Sequence, residues 1–132
     1  MELEIIRMNN SIKLAALLGA TVVAIGAFGA HTLKDYLLEI DKLDTFLTAG
    51  QYHFYHTLAL LGIGILRDRH ENIWLKRAAF AMSLGILLFS GSLYLICMLE
   101  VSIIGVITPL GGVAFIAGWG MLFLSGIKKA DS

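Results

Sequence analysis

Cysteine, proline and charge are all scarce in this chain, and each shortage excludes something. There is one cysteine, Cys97, so no intramolecular disulfide can form. It stands in an apolar run, where a thiol reads as a packed apolar residue in preference to a reactive group. The single proline, Pro109, marks one place where a helix break is expected. Charged residues make up 15% of the chain, against about 25% in a soluble domain, too few for a water-facing surface. Ten Lys or Arg offset ten Asp or Glu, which excludes both a basic stripe for nucleic acid and an acidic tail. Phosphate-loop, dinucleotide-binding and zinc-metalloprotease motifs are also missing.

In place of charge there is hydrophobicity, at 58% of residues, with the charges gathered between long apolar stretches. That distribution belongs to a bilayer protein. A hydrocarbon core about 30 Å thick needs roughly 20 helical residues. Four stretches meet that scale: 12–30, 46–66, 77–99 and 102–126. Residues 1–132 are thus expected to form one membrane domain, an all-α, four-transmembrane-helix antiparallel bundle. Short linkers at 67–77 and 100–102 favour the up-down order. The first span is read as an uncleaved helix, since three more follow it and its glycines serve helix packing. Segment 32–44 differs. Its Leu33, Tyr36, Leu37, Ile40 and Leu43 recur at helical spacing among charges, which predicts an amphipathic interfacial helix of about three turns.

Orientation follows from the basic residues near the span ends. Arg7, Lys13, Arg67, Arg69, Lys76, Arg77, Lys128 and Lys129 gather on one side, and Lys34 and Lys42 on the other. Eight against two predicts cytoplasmic N- and C-termini for a multi-pass protein of the cell inner (plasma) membrane. Glycines supply close packing where lipid offers helices no hydrophobic drive to associate. Gly26, Gly29, Gly62, Gly64, Gly85, Gly91, Gly118 and Gly120 are the expected contact points.

This topology brings polar residues of all four spans to one depth in the outer half of the bilayer. The candidate cluster is His31, Gln51, Tyr52, His53, His56, Ser90, Ser92 and Thr108. His53 and His56 are three apart and share a helix face. Unpartnered polar groups cost several kcal/mol in hydrocarbon, so about that much favours their pointing inward and bonding one another. Pro109, Gly111 and Gly112 predict a kink or unwinding of the last helix.

Several chemistries compete for this cluster. His31, His53 and His56 match a metal site only weakly, since no cysteine or carboxylate stands near them, and no metal or other cofactor is expected. Two histidines three apart cannot ligate opposite faces of one haem. A proton relay is the sharper functional reading of intramembrane histidines. A Ser90 or Ser92 nucleophile lacks an acid to orient its histidine. The commonest role for such groups is a paired network that sets helix register.

Four motifs carry a resemblance: GAFGAH at Gly26–His31, TAGQYHFYHTLALL at Thr48–Leu61, FSGSLY at Phe89–Tyr94 and ITPLGGVAFIAGW at Ile107–Trp119. In that order and spacing the chain resembles the family called domain of unknown function 423, similar to the eukaryotic transmembrane protein 256. The resemblance implies a small multi-helix membrane protein, with no substrate, reaction or cofactor attached. Sequence alone favours a structural or accessory membrane component acting through helix contacts, in a homo-oligomer or larger membrane complex within the lipid bilayer. The alternative is a small transporter, proton conductor or lipid-binding protein using the histidine cluster.

Overall fold

A computed structural model describes residues 8–70 and 72–126. Arg7, Lys128 and Lys129, used in the charge count above, lie outside the described residues. Every regular element among those residues is helical. The order is α1 (Asn10–Ala30), α2 (Lys34–Glu39), α3 (Leu43–Arg69), α4 (Ile73–Gly85), a π-helical turn (Ile86–Ser90), α5 (Gly91–Leu99), a 3-10 turn (Ser102–Val106) and α6 (Thr108–Ser125). Among the described residues, three stretches are long and apolar enough to cross a membrane: Asn10–Ala30, Ile73–Leu99 and Ser102–Ser125. The longest helix, α3, has the length, but Gln51, Tyr52, His53, Tyr55 and His56 dilute its apolar character.

Capping residues set the helix starts and tie the rods together. Asn9 Oδ1 accepts the backbone N–H groups of Ser11 and Ile12, at 2.9 and 3.2 Å, and so caps α1. The same side chain donates through Nδ2 to the Gly64 carbonyl (2.7 Å) and to Asp68 Oδ1 (2.6 Å), near the end of α3. Arg67 reinforces that junction with a 2.6 Å bond to Ser11 Oγ. Asn72 repeats the device. Its Oδ1 caps α4 at the Trp74 N–H (2.8 Å), and its Nδ2 reaches the Ser125 carbonyl at the end of α6 (3.3 Å).

The main core gathers Ala15 of α1, Leu60 and Ile63 of α3, Ala78 and Met82 of α4, Ile86 and Phe115. A smaller cluster of Leu37, Phe46 and Cys97 lies under α2. Cys97 is buried there, as expected of a packed thiol. The outer surface reverses the soluble pattern. Phe80, Leu87, Ile116 and Phe123 are among its most exposed residues, and a surface so apolar belongs against lipid.

Three expectations about local structure change. The amphipathic segment is shorter than three turns: α2 has six residues and stops at Glu39. Asp41 then takes a left-handed φ of 55°, which breaks the helical hydrogen-bond ladder before α3 begins at Leu43. The break in the last span falls ahead of Pro109, at the change from the 3-10 turn to α6. Pro109 sits in the first turn of α6, where its missing N–H costs nothing, and Gly111 and Gly112 lie in regular helix. Glycine packing is also selective. A methyl on Gly29, Gly64 or Gly85 would strike Phe46, Ile12 or Phe115, and one on Gly118 would crowd Met82. Gly26, Gly62 and Gly120 face open space. The tightest approach is at Gly111, where a methyl would land on the Phe89 backbone.

Candidate functional site

The site is organised by one face of α3. Ala49, His53, His56, Thr57 and Leu60 recur at three- and four-residue spacing, and all are buried. His53 and His56 are only 3% and 6% exposed, so their nitrogens must find partners within the protein.

Both nitrogens of His56 are engaged. Trp119 of α6 donates its indole N–H to Nε2 at 3.2 Å. Because indole only donates, Nε2 must be the unprotonated acceptor. The proton therefore sits on Nδ1, which donates to the Tyr52 carbonyl at 2.8 Å. The imidazole lies flat on Phe115, with ring centroids 3.5 Å apart and planes 15° from parallel. Tyr52 lies parallel to His56 with ring centroids 5.9 Å apart and meets Phe89 at a tilt, 4.6 Å away.

His53 takes the opposite tautomer. Its Nδ1 lies 3.1 Å from the Tyr94 hydroxyl. A backbone carbonyl can only accept, so with Leu18 as the partner of Nε2 the imidazole proton sits on Nε2 and Nδ1 accepts from the Tyr94 hydroxyl. Nε2 is buried against α1, where the Leu18 backbone is its hydrogen-bond partner at a looser geometry than the other bonds of the belt.

Hydroxyls complete the belt. Ser90, fully buried at the end of the π-turn, donates to the Ala49 carbonyl at 2.8 Å. Thr57 donates to the His53 carbonyl at 2.7 Å. Ser92 and Thr108 meet at 2.6 Å, joining α5 to α6. Since Ser92 gives its hydrogen to the Phe89 carbonyl at 2.9 Å, Thr108 is the donor in that pair. The π-turn closes through the Gly91 N–H to the Ile86 carbonyl and brings Phe89 against Gly111. One extra residue in the turn rotates everything after it, which aims Ser90 at α3 and Ser92 at α6.

Of the eight candidate residues, His53, His56, Ser90, Ser92 and Thr108 lie inside this network, and Tyr52 flanks it. His31 and Gln51 do not join it. His31 is exposed at the end of α1, and Gln51 is exposed on the opposite side of α3, lining a groove with Lys34 and Gly26. Among the described residues no three His, Cys, Asp or Glu side chains converge as a metal group would require. Sequence reasoning missed Trp119 and Phe115, and it left Tyr94 out of the cluster. Trp119 and Phe115 do fall in the last of the four motifs, and Tyr94 closes the third, at the depth of Ser90 and Ser92.

The α2 end of the helices holds a separate contact. Tyr36 of α2 places its hydroxyl 3.2 Å from the Cys97 carbonyl and 3.3 Å from Glu100. Burial, then the adjacent Glu100 charge, push the Tyr36 phenol above its ordinary value. Glu100 ends α5 in a left-handed conformation, φ 56°, which turns the chain toward the 3-10 segment.

Comparison with known proteins agrees with this architecture. The profile described as protein of unknown function (DUF423) matches residues 25–112, which include α2, α3, the π-turn and the start of α6. The chain belongs to the DUF423 family. The UPF0382 membrane protein YwdK of Bacillus subtilis is 42% identical over 122 residues, covering 92% of this chain and 98% of that protein. The UPF0382 inner membrane protein YgdD of Escherichia coli K12 is 37% identical over 114 residues, 86% of each chain. No solved structure matches the chain. This DUF423 protein is accordingly an all-helical membrane protein.

Proposed function

We propose that this protein is a four-span antiparallel bundle that acts as a structural or accessory component of the inner membrane, through helix contacts with its own copies or a larger complex. The observation that carries this is the closure of His56. Its Nδ1–H is committed to a backbone carbonyl and its Nε2 to an indole N–H, and neither partner can pass on a proton. A relay needs titratable neighbours, and a transport path needs unpaired polar lining. The belt is instead a paired network of the kind that sets helix register.

The meeting of opposite ends supports the antiparallel reading. The start of α1 bonds the end of α3, the start of α4 bonds the end of α6, and Ala49 near the start of α3 meets Ser90. The fourth span is α3, which at 27 residues is about 40 Å long. It can tolerate its histidines because its neighbours, not lipid, surround them. Lys13, Arg67, Arg69, Lys76 and Arg77 on one side, against Lys34 and Lys42 on the other, support cytoplasmic termini.

Crosslinking in native membranes tests the assignment. A homo-oligomer or a reproducible membrane partner is expected, and a strictly monomeric protein with no partner would overturn it. Single cysteines at Asp68 and Lys34, in a Cys97→Ala background, test the topology. Lys34→Cys should react with an impermeant maleimide from outside, and Asp68→Cys only after the membrane is opened.

A further inference from the structure

The α4/α6 pair carries a surface groove that is apolar along its length and cationic at one end. Short side chains make the room: Ala81 of α4 and Ala117 of α6 line it, with Phe80 and Leu84 rising as walls. Lys76 and Arg77 close the end nearest the start of α4. The groove holds about 410 Å³ and faces outward, since Phe80, Lys76 and Arg77 are all exposed. Asn72 ties that end of α4 to the Ser125 carbonyl at the end of α6, so the groove starts at the rim of the bundle.

Charge narrows the ligand. The Arg77 guanidinium lies over the Trp74 ring, 5.2 Å from its centroid. Such stacking covers the face of the cation and leaves its in-plane N–H groups to donate, a fork that matches phosphate oxygens. Arg77 carries the site, and Lys76 adds positive charge beside it. Lys13, Arg67 and Arg69 belong to the same end, because Arg67 bonds Ser11 near the start of α1. Among the described residues the only acid there is Asp68, and Asn9 already holds it. Each basic residue near a membrane surface favours an anionic lipid roughly fivefold.

Length separates a lipid from a second copy. Leu84 stands seven residues beyond Arg77, about 10 Å along the helix, which lies within one leaflet's half of a core about 30 Å thick. A neighbouring span would need a groove across both leaflets. Copies inserted the same way would also meet with their basic ends level, setting Arg77 against like charge. We propose that the α4/α6 groove binds an anionic phospholipid, its phosphodiester on Arg77 and one acyl chain along Phe80, Ala81, Leu84 and Ala117. This goes beyond the scaffold reading and requires only that α4 and α6 lie in the bilayer, whichever way the termini face.

The test uses the full chain in detergent, titrated with dioleoylphosphatidylglycerol or dioleoylphosphatidylcholine and read by native mass spectrometry and Tm. Saturable retention of one phosphatidylglycerol with a rise in Tm is expected, and phosphatidylcholine should bind roughly fivefold or more weakly. Arg77→Gln should weaken phosphatidylglycerol about fivefold and leave phosphatidylcholine unchanged. Ala117→Leu fills the groove, keeps the charge and should weaken phosphatidylglycerol to a similar extent. If Ala117→Leu does not fold, Phe80→Ala removes the exposed wall and should do the same. Equal retention of the two lipids, or Arg77→Gln binding like wild type, overturns the proposal. So does glycerol 3-phosphate that displaces phosphatidylglycerol at equal concentration, because the groove then plays no part. A dimer crosslinked in membranes through Ala117→Cys, in the Cys97→Ala background, also overturns it, since a second copy then fills the groove. That last result would leave the scaffold reading standing, so the two can fail separately.

Discussion

Trp119 and His56 stand sixty-three residues apart and meet through an indole N–H···Nε2 bond of 3.2 Å. This single contact joins α6 to α3 and dictates which nitrogen of His56 carries its proton. Trp119→Phe keeps the ring and removes the donor. The expected cost is about 0.6–1.7 kcal/mol, the range for interhelical hydrogen bonds in membranes. Imidazole ¹⁵N spectra of the wild type should show a protonated Nδ1 and an unprotonated Nε2 at His56. A protonated Nε2 there would refute the bond's direction and the closed-network reading with it.

Glycines separate sharply by position. Gly111→Ala should lower stability by about 1–3 kcal/mol, because its methyl meets the Phe89 backbone and no rotamer can relieve that. Gly26→Ala should be nearly silent, having nothing within 4 Å. Thermal melts of both variants in one detergent check the contrast, and equal losses would contradict the helix approach described here.

The Ser92–Thr108 pair is suited to a double-mutant cycle. Ser92→Ala, Thr108→Val and the double variant should give a coupling energy of about 0.6 kcal/mol, and not more than about 1.7. A coupling indistinguishable from zero would separate α5 from α6 at this point.

At the α2 end of the molecule, pH dependence follows from Tyr36. The folded state raises its pKa, so the native protein holds this proton more tightly than the unfolded chain does. The associated stabilisation is complete below the ordinary tyrosine value of about 10 and is lost as pH rises through the folded value. Melting temperature measured from pH 8 to 11 should fall less steeply for Tyr36→Phe than for wild type.

Much of this was legible in the sequence, and the misses share a cause. Apolar stretches between charge clusters marked the long helices, and helical spacing put His53 and His56 on one face. Depth counting placed Ser90, Ser92 and Thr108 beside them. The same counting included His31 and Gln51, which lie exposed outside the network, since depth does not say which way a side chain points around its helix. Pro109 announced a break, yet the break precedes it, because proline is tolerated in the first turn of the helix it begins.

By itself, then, the sequence determined the helical class, the membrane setting and the shared face of His53 and His56. These depend on hydrophobicity and period, which are local properties. Tertiary structure decided the partners: Trp119 for His56, Tyr94 and the Leu18 backbone for His53, and Phe89 against Gly111. Partner choice depends on how each helix is rotated about its axis. The π-turn at Ile86–Ser90 changes that rotation partway along a span, and it does so through packing between helices, to which no local pattern of residues corresponds.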